Sequence, residues 1–389
     1  MPNWNIPLSD IDYGEQEMHA VERVLRSKWL SMGPEVEAFE AEFAAMQGAK
    51  HAISVSSATA ALHLSLLAAG VGPGDEVIQP ALNFVASASM TVACGATPVF
   101  ADVVSLTHPT IDPEDVNPLV SGRTKALIAM HYGGNLCRMA ALQALCAKRN
   151  LVLIEDACHA VGARYHGGIA QPPNEKMAGS IGDIGCFSFF ANKNMVTGEG
   201  GMVVTDCDDL AAKVRLLRSH GMTTLTWQRH TGHAKSYAVV ANGYNYRLDE
   251  LHAALGRAQL AKLQHNNARR RELLKRYKEA VDRMTGWLMP FSDAVDTSAG
   301  HLMVALAPTN EARDQAVERL RAAGIQSSLH YPCIADFEAF AALPQTLLPV
   351  TREFVSRALT LPLYADLSHM DVQTVCEALG ACALIGRGR

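Results

Sequence analysis

The chain has 389 residues, of which 49% are hydrophobic and 19% charged, and its formal net charge is −5 at pH 7. This length suits two domains, or a large domain with a smaller one, and the composition is typical of a soluble globular enzyme. The acidic balance argues against a general binder of nucleic acid or of anionic membranes. No apolar run reaches the roughly 18 residues that span a bilayer.

The first residues show no basic segment followed by an apolar run, so we expect no signal peptide. Nine cysteines are scattered without a CxxC pair, and the fifteen histidines show no HExxH spacing. An odd number of unpaired cysteines favours reduced thiols over a disulfide framework or a zinc site. We therefore expect a cytoplasmic protein that carries no metal.

Apolar runs alternate with helical stretches between about residue 50 and residue 205. The first clear helix is predicted to start at Thr59 and to end at Gly70. Several predicted strands are nearly continuous apolar runs, which is typical of strands buried on both faces of a parallel α/β sheet. The predicted strands lie at 76–79, 98–102, 126–130, 151–155, 186–190 and 201–205. Residues 167–185 are rich in glycine and proline, which predicts a long loop.

The second half of the chain has a different sequence pattern from the first half. Residues 248–284 have a charged helical pattern, which predicts a helix that bridges two domains. A strand-like run at 301–306, a helix at 311–323 and a closing helix from Asp371 follow it. This order is typical of a small α+β domain. We therefore predict a large domain at residues 1–260 and a smaller C-terminal domain at residues 261–389.

Two motifs follow predicted strands and could bind a ligand. Ser56-Ser-Ala-Thr59 precedes a helix, whose free backbone N–H groups and dipole favour an anion, although an ordinary helix cap is the alternative. Glu155 and Asp156 end an apolar strand, where ligands bind in open α/β sheets. Because strand side chains alternate between faces, only one of the two carboxylates should face a given site. The alternative is that both are solvated charges at a strand end.

A third motif contains a lysine between two apolar strands. Lys193 lies five residues after Ser188 and is followed by a glycine-rich turn at residues 198–201. A lysine can form a Schiff base when a partly desolvated site lowers its pKa. The alternative is an ordinary surface lysine in a loop.

These motifs together resemble the pyridoxal-phosphate (PLP)-dependent sugar aminotransferases of the DegT/StrS group, which have the aspartate aminotransferase-like fold. Each stretch is weak alone, but six of them occur in the family's order over nearly the whole chain. They are GPEVEAFE from residue 33, SATAALHL from 57, EDACHAVGA from 155, FSFFANKNMVTGEGG from 187, GYNYRLDELHAALG from 243 and LPLY from 361.

The resemblance implies a fold and two catalytic residues. The fold would be the PLP-dependent transferase fold type I, an α/β fold with a mostly parallel seven-stranded sheet and a smaller C-terminal α+β domain. Lys193 would form the Schiff base with PLP and move the proton during transfer. Asp156 would pair with the pyridinium nitrogen of the cofactor and keep it protonated.

The resemblance also implies how the cofactor is held. Ala58, Thr59 and Ser188 would bind its phosphate, although the sequence reads Ser-Ser-Ala-Thr where many relatives have Asn-Gly-Thr. Phe84 would stack on the ring, and His159 would lie near the phenolic oxygen of the ring. Asn245 would reach the phosphate in the neighbouring subunit, which implies a homodimer with shared active sites.

The function implied is transfer of an amino group from L-glutamate to a nucleotide-linked keto sugar. The Gly-Glu pair after Lys193 resembles relatives that aminate position 4, which favours a 4-keto-6-deoxyhexose. A 3-keto sugar nucleotide, a keto polyol (an inosose) and a PLP-binding regulator without turnover are the alternatives. The intact Lys193 and Asp156 argue against the regulator. We expect the substrate pocket to be lined by the loops at 222–240 and 328–335.

Overall fold

A computed structural model describes residues 4–165, 176–224, 227, 230, 232 and 236–384. The helices are α1 Glu15–Ser27, α2 Pro34–Gln47, α3 Ala58–Ala68, α4 Ala86–Ala93, α5 Pro113–Leu119, α6 Met139–Arg149, α7 Asp208–Arg218, α8 Glu250–Val281, α9 Asn310–Ala322, α10 Pro349–Arg357 and α11 His369–Leu384. The strands are β1 His51–Val55, β2 Glu76–Pro80, β3 Thr97–Ala101, β4 Thr124–Met130, β5 Val152–Asp156, β6 Arg164–Tyr165, β7 Lys176–Met177, β8 Ile184–Ser188, β9 Gly201–Thr205, β10 Met303–Leu306 and β11 Ala358–Leu361.

The main sheet has seven strands in the order β1-β9-β8-β5-β4-β2-β3. Strand β9 pairs antiparallel with both of its neighbours, whereas the pairs among β8, β5, β4, β2 and β3 are parallel. The predicted α/β fold with a mostly parallel seven-stranded sheet is therefore confirmed. Because β4, β5 and β8 are adjacent and parallel, their carboxyl ends meet at one edge of the sheet.

Apolar side chains cover both faces of this sheet. In β4, Ala126 and Ile128 belong to a core cluster with helix α3, while Leu127 and Ala129 belong to another cluster with helix α6. Since successive strand residues point to opposite faces, helices must lie on both sides. This two-sided burial explains why the strands appeared in the sequence as continuous apolar runs.

One predicted loop boundary is wrong. Residues 167–185 were expected to form a loop, but Ile184 and Gly185 already belong to β8, and Lys176–Met177 forms the short strand β7. Gly185 is packed so closely against Gly179 that a Cβ atom would lie 2.0 Å from the Gly179 carbonyl oxygen. This glycine therefore reflects close backbone packing in a strand rather than a turn. Residues 166–175 lie outside the described part of the chain.

Helix α8 runs without interruption from Glu250 to Val281 and connects the sheet region to a second core. That core contains Leu273 and Tyr277 from α8, together with side chains of β10, β11, α9 and α11. Ile6 is buried in the same core and forms a β-bridge with Ile325. The division at residues 260/261 would fall inside α8 and stays a prediction. None of the helices in the described residues is long and apolar enough to cross a membrane.

Candidate active site

A cavity of about 390 Å³ lies at the carboxyl ends of the parallel strands. Its walls come from the start of α3, the segment after β2, the ends of β5 and β8, the loop before β9, and residues 330–331 of the C-terminal region. All of the predicted site residues except Asn245 line it: Ala58, Thr59, Phe84, Asp156, His159, Ser188 and Lys193. The fold thus brings together motifs that are far apart in the sequence.

The N-terminus of α3 forms one wall. Ser57 caps this helix, because its side-chain oxygen accepts a hydrogen bond from the Ala60 N–H at 3.1 Å. Ala58 and Thr59, in the first turn, have backbone N–H groups with no acceptor inside the helix, as at any helix start. A Cβ atom on Gly201 would lie 2.6 Å from the carbonyl carbon of Ser57, so only glycine allows β9 this close. Ser57 therefore caps the helix while the N–H groups of Ala58 and Thr59 remain available to an anion.

Asp156 is the carboxylate that faces the cavity. It is 4% exposed and accepts hydrogen bonds from the side-chain amide of Asn83 at 3.1 Å and from the Cys158 N–H at 3.2 Å. A carboxylate can accept about four hydrogen bonds, so these two partners leave capacity for a cationic ligand.

Glu155 lies on the opposite side of β5 and is fully buried. It accepts hydrogen bonds from the N–H groups of Gly179 at 2.8 Å, Ile181 at 2.6 Å and Gly182, and it contacts Nε2 of His131 at 2.7 Å. With these partners its acceptor capacity is filled. Glu155 therefore fixes the turn before β8, and the expectation that only one of the two carboxylates faces the site is met by this geometry.

Lys193 is half-buried on the floor of the cavity. Burial lowers the pKa of its ammonium group, and the nearby Cys158 and Asp156 only partly oppose this shift. The loop is held in place by Asn194, whose side-chain amide donates to the carbonyl of Ala299 at 2.7 Å and to Asn267 of α8 at 2.8 Å. A lysine with a lowered pKa can supply the neutral amine that Schiff-base formation requires.

Several lining residues were not found from the sequence, among them Asn83, Asn192, His330 and Tyr331. His330 and Tyr331 lie in the loop at 328–335 that was expected to line the pocket, although no residue could be chosen there. Asn83 could have been found as a polar residue just beyond β2. No described residue of the 222–240 loop lines the cavity of its own chain.

Asn245 lies away from the cavity, and its side chain is exposed. Its neighbours hold the backbone firmly: the Tyr246 carbonyl accepts from the Ser56 N–H at 2.8 Å, and the Tyr244 N–H donates to Leu217 at 2.7 Å. The segment is therefore fixed beside the start of α3 while Asn245 points outwards. Within one chain, Asn245 does not join the other predicted site residues.

Known proteins match almost the entire chain. The model of the DegT/DnrJ/EryC1/StrS aminotransferase family matches residues 12–380. Spore coat polysaccharide biosynthesis protein SpsC of Bacillus subtilis (strain 168) is 39% identical over 385 residues, which cover 97% of each chain. The structure of Helicobacter pylori PseC, an aminotransferase involved in the biosynthesis of pseudoaminic acid, is 29% identical with a TM-score of 0.89, and covers 98% of this chain and 99% of its own.

A further solved structure is similar to the same extent and shows the cofactor. The sugar aminotransferase candidate Spr1654 of Streptococcus pneumoniae, in its PLP form, is 27% identical with a TM-score of 0.89, and 98% of this chain matches 99% of that one. The cavity described above fits PLP, because a helix N-terminus, a buried carboxylate with spare acceptor capacity and a lysine with a lowered pKa all line it. The chain belongs to the DegT/DnrJ/EryC1/StrS aminotransferase family and is a PLP-dependent sugar aminotransferase.

Proposed function

We propose that this enzyme transfers an amino group from L-glutamate to the ketone of a nucleotide-linked sugar. The observation that carries the proposal is that Lys193 and Asp156 line one cavity with the N-terminus of α3. The relatives support the class of acceptor, since SpsC is named for polysaccharide biosynthesis and PseC for the biosynthesis of pseudoaminic acid.

Of the cavity residues, Asp156 would stabilise charge on the cofactor, and Lys193 would transfer the proton. When bound, PLP supplies a ring that accepts electrons from the substrate carbon that loses or gains the amino group. Asp156 would pair with the ring nitrogen and stabilise its positive charge. Lys193 would hold the cofactor covalently at rest, and its Nζ would carry the proton that moves at the substrate carbon.

Other residues would fix the position of the cofactor. The backbone N–H groups of Ala58 and Thr59, with the hydroxyl of Ser188, would bind its phosphate. Phe84 lines the cavity yet remains 54% exposed, so its ring is available to stack on a planar ligand. His159 would lie beside the cofactor ring.

We assign a 4-keto-6-deoxyhexose as the acceptor sugar. The Gly-Glu pair that resembles relatives acting at position 4 includes Glu199, and Glu199 lines the cavity. The side chain of Glu199 can therefore contact the substrate directly. The reacting part of a keto sugar is uncharged, which suits a cavity where Lys193 is the one cationic Lys or Arg side chain among the described lining residues.

The acceptor can be tested with the purified enzyme in its pyridoxamine form. Nucleotide-linked 4-keto-6-deoxyhexoses, 3-keto hexoses and an inosose would be incubated separately, and mass spectrometry would detect the amino product. We expect product from a 4-keto-6-deoxyhexose, with NMR placing the new nitrogen on carbon 4. Nitrogen on carbon 3, or product from the inosose alone, would replace the assigned acceptor.

We also propose that two chains share each active site. The cofactor phosphate and the carboxylates of glutamate are anions, yet the described cavity lining offers them few charged partners. Asn245 is exposed, and Tyr237, Val239 and Val240 beside it are 53%, 59% and 61% exposed, which supports contact with a second copy. In a two-fold dimer, Asn245 of each chain would reach the phosphate bound by the other.

Complementation tests the shared site. Lys193→Ala and Asn245→Asp chains should each be poorly active alone, the second because its carboxylate would repel the phosphate. A mixed dimer would contain one site with both defects and one with neither, so co-expression should recover up to about half of the wild-type activity per dimer. Inactive mixed dimers, with a folded Asn245→Asp protein, would place both residues in one chain's site.

A further inference from the structure

Tyr331 lines the cavity, and among the described residues its hydroxyl has one hydrogen-bond partner, His159. Its ring lies 5.7 Å from the ring of Phe84 and 5.7 Å from the ring of His159, so it forms the wall opposite the sheet. The preceding residue is anchored twice: the His330 side chain contacts Thr360 Oγ1 at 3.1 Å, and its carbonyl accepts from the hydroxyl of Tyr132. The position of Tyr331 is therefore set by the C-terminal region.

The contacts of His159 determine which of its nitrogens carries the proton. The backbone N–H of Gly133 can only donate, and it lies 3.3 Å from Nδ1 of His159, so Nδ1 must be an acceptor. In a neutral imidazole the proton is then on Nε2, which donates to the Tyr331 hydroxyl oxygen at 2.8 Å. Burial lowers the pKa of His159 well below its usual value, with Lys193 and His330 adding to the shift, so the ring stays neutral.

This arrangement leaves the hydroxyl proton of Tyr331 without an acceptor among the described residues. Asp156 in the cavity wall accepts from Asn83 and Cys158, and among the described residues no hydrogen bond joins it to Tyr331. Burial raises the pKa of Tyr331, and Asp156 raises it further, so the phenol keeps its proton. Tyr331 thus offers one directed, neutral hydrogen-bond donor to whatever occupies the cavity.

We propose that Tyr331 binds the carbonyl oxygen of the amino acceptor, and that His159 is a positioning residue that directs its hydroxyl. This inference rests on the proposed keto-sugar acceptor. A phenol that donates to a carbonyl oxygen without losing its proton draws electron density from the carbon and makes it a better electrophile. It also orients the ketone, because the Tyr331 oxygen is fixed by the Nε2–H of His159.

Equilibrium binding to the PLP form of the enzyme tests this role without turnover. The ketone dTDP-4-keto-6-deoxyglucose would be compared by calorimetry with its analogue that lacks oxygen at carbon 4. Tyr331→Phe should weaken binding of the ketone by about threefold to tenfold, the usual range for one neutral hydrogen bond, and leave the analogue unchanged. Tyr364→Phe, which removes a hydroxyl from the C-terminal core outside the cavity, is the matched control and should change neither.

Three results would overturn the role of Tyr331. If Tyr331→Phe binds the ketone as tightly as wild type does, the hydroxyl does not contact it. If the variant instead shifts the visible absorption band of the substrate-free enzyme and keeps the ketone preference, Tyr331 donates to the cofactor. If wild type itself binds no such ketone, the proposed acceptor fails, and this inference fails with it.

A second set of variants tests whether His159 acts through Tyr331. His159→Leu should weaken ketone binding, and His159→Gln should partly restore it, because an amide can accept from Gly133 and donate to Tyr331. In the Tyr331→Phe background, His159→Leu should cause no further loss of ketone affinity. Additive losses would show that His159 affects ketone binding independently of Tyr331, and the positioning role would be wrong.

Discussion

The two faces of β5 at its carboxyl end carry the same chemical group and use it differently. On one face, Glu155 is saturated by backbone N–H groups and His131, so it holds a turn in place. On the other face, Asp156 has two partners and borders the cavity. The two carboxylates thus differ in unused hydrogen-bonding capacity and in access to an open space, and on these two grounds we propose Asp156 as the ligand-binding one.

The strongest test of the cavity face removes Lys193. Lys193→Ala should abolish the visible absorption band of the bound cofactor, the link trapped by borohydride, and turnover, because no other lysine lines the cavity in the described residues. Lys275→Ala, at an exposed ion pair with Asp296, is the control and should change none of these. A covalent link that survives in Lys193→Ala would mean that another lysine is the nucleophile.

Asp156→Asn should reduce turnover by roughly a hundredfold or more, because a neutral amide cannot stabilise a positive ring nitrogen in a buried site. The variant should still fold and bind the cofactor. Steady-state kinetics with measured cofactor content would separate these effects. Near-normal turnover here, with an inactive Glu155→Gln, would reverse the roles of the two carboxylates.

Glu155→Gln should instead lower the free energy of unfolding by about 2 kcal/mol, because its amide group would face backbone N–H groups that need acceptors. Turnover per bound cofactor should change little below the unfolding temperature. Denaturant unfolding monitored by circular dichroism would measure the loss. An unchanged stability would contradict the view that this carboxylate holds the turn at residues 179–182.

The smallest expected effect is at Ser57, which both stabilises the fold as a helix cap and lines the cavity. Ser57→Ala should lower the free energy of unfolding by about 1 kcal/mol through loss of the α3 cap. Ser57→Asp should keep the cap and restore stability, yet weaken cofactor binding because its charge would oppose the phosphate. Measuring the free energy of unfolding and the cofactor affinity of both Ser57 variants separates the role of the cap from that of the cofactor site. Equal cofactor affinity in the two variants would place the phosphate elsewhere.

The sequence predicted what depends on local pattern. Continuous apolar runs indicated a sheet buried on both faces, and Lys193 and Asp156 lay in motifs with a chemical rationale. The alternation of strand side chains indicated that one of Glu155 and Asp156 faces the site, and only the family resemblance selected Asp156. That choice depends on where the turn at 179–182 folds back.

The opposite wall of the cavity could not be predicted in the same way. His159 and Tyr331 meet through a 2.8 Å contact although they are 172 positions apart in the chain. Nothing in the local pattern around residue 330 encodes that contact, because it arises from the docking of the C-terminal region. Gly185 was misread for a related reason, since its partner Gly179 is recognisable only once the backbone is folded.

The bridge between Ile6 and Ile325 has a consequence for the order in which the protein can assemble on the ribosome. Ile6 is made more than three hundred positions before Ile325, its bridge partner in the same core. The lysine and carboxylate of the cavity also emerge long before Tyr331. Between the synthesis of Lys193 and the docking of Tyr331, a nascent chain therefore has the sheet side of the cavity without its opposite wall.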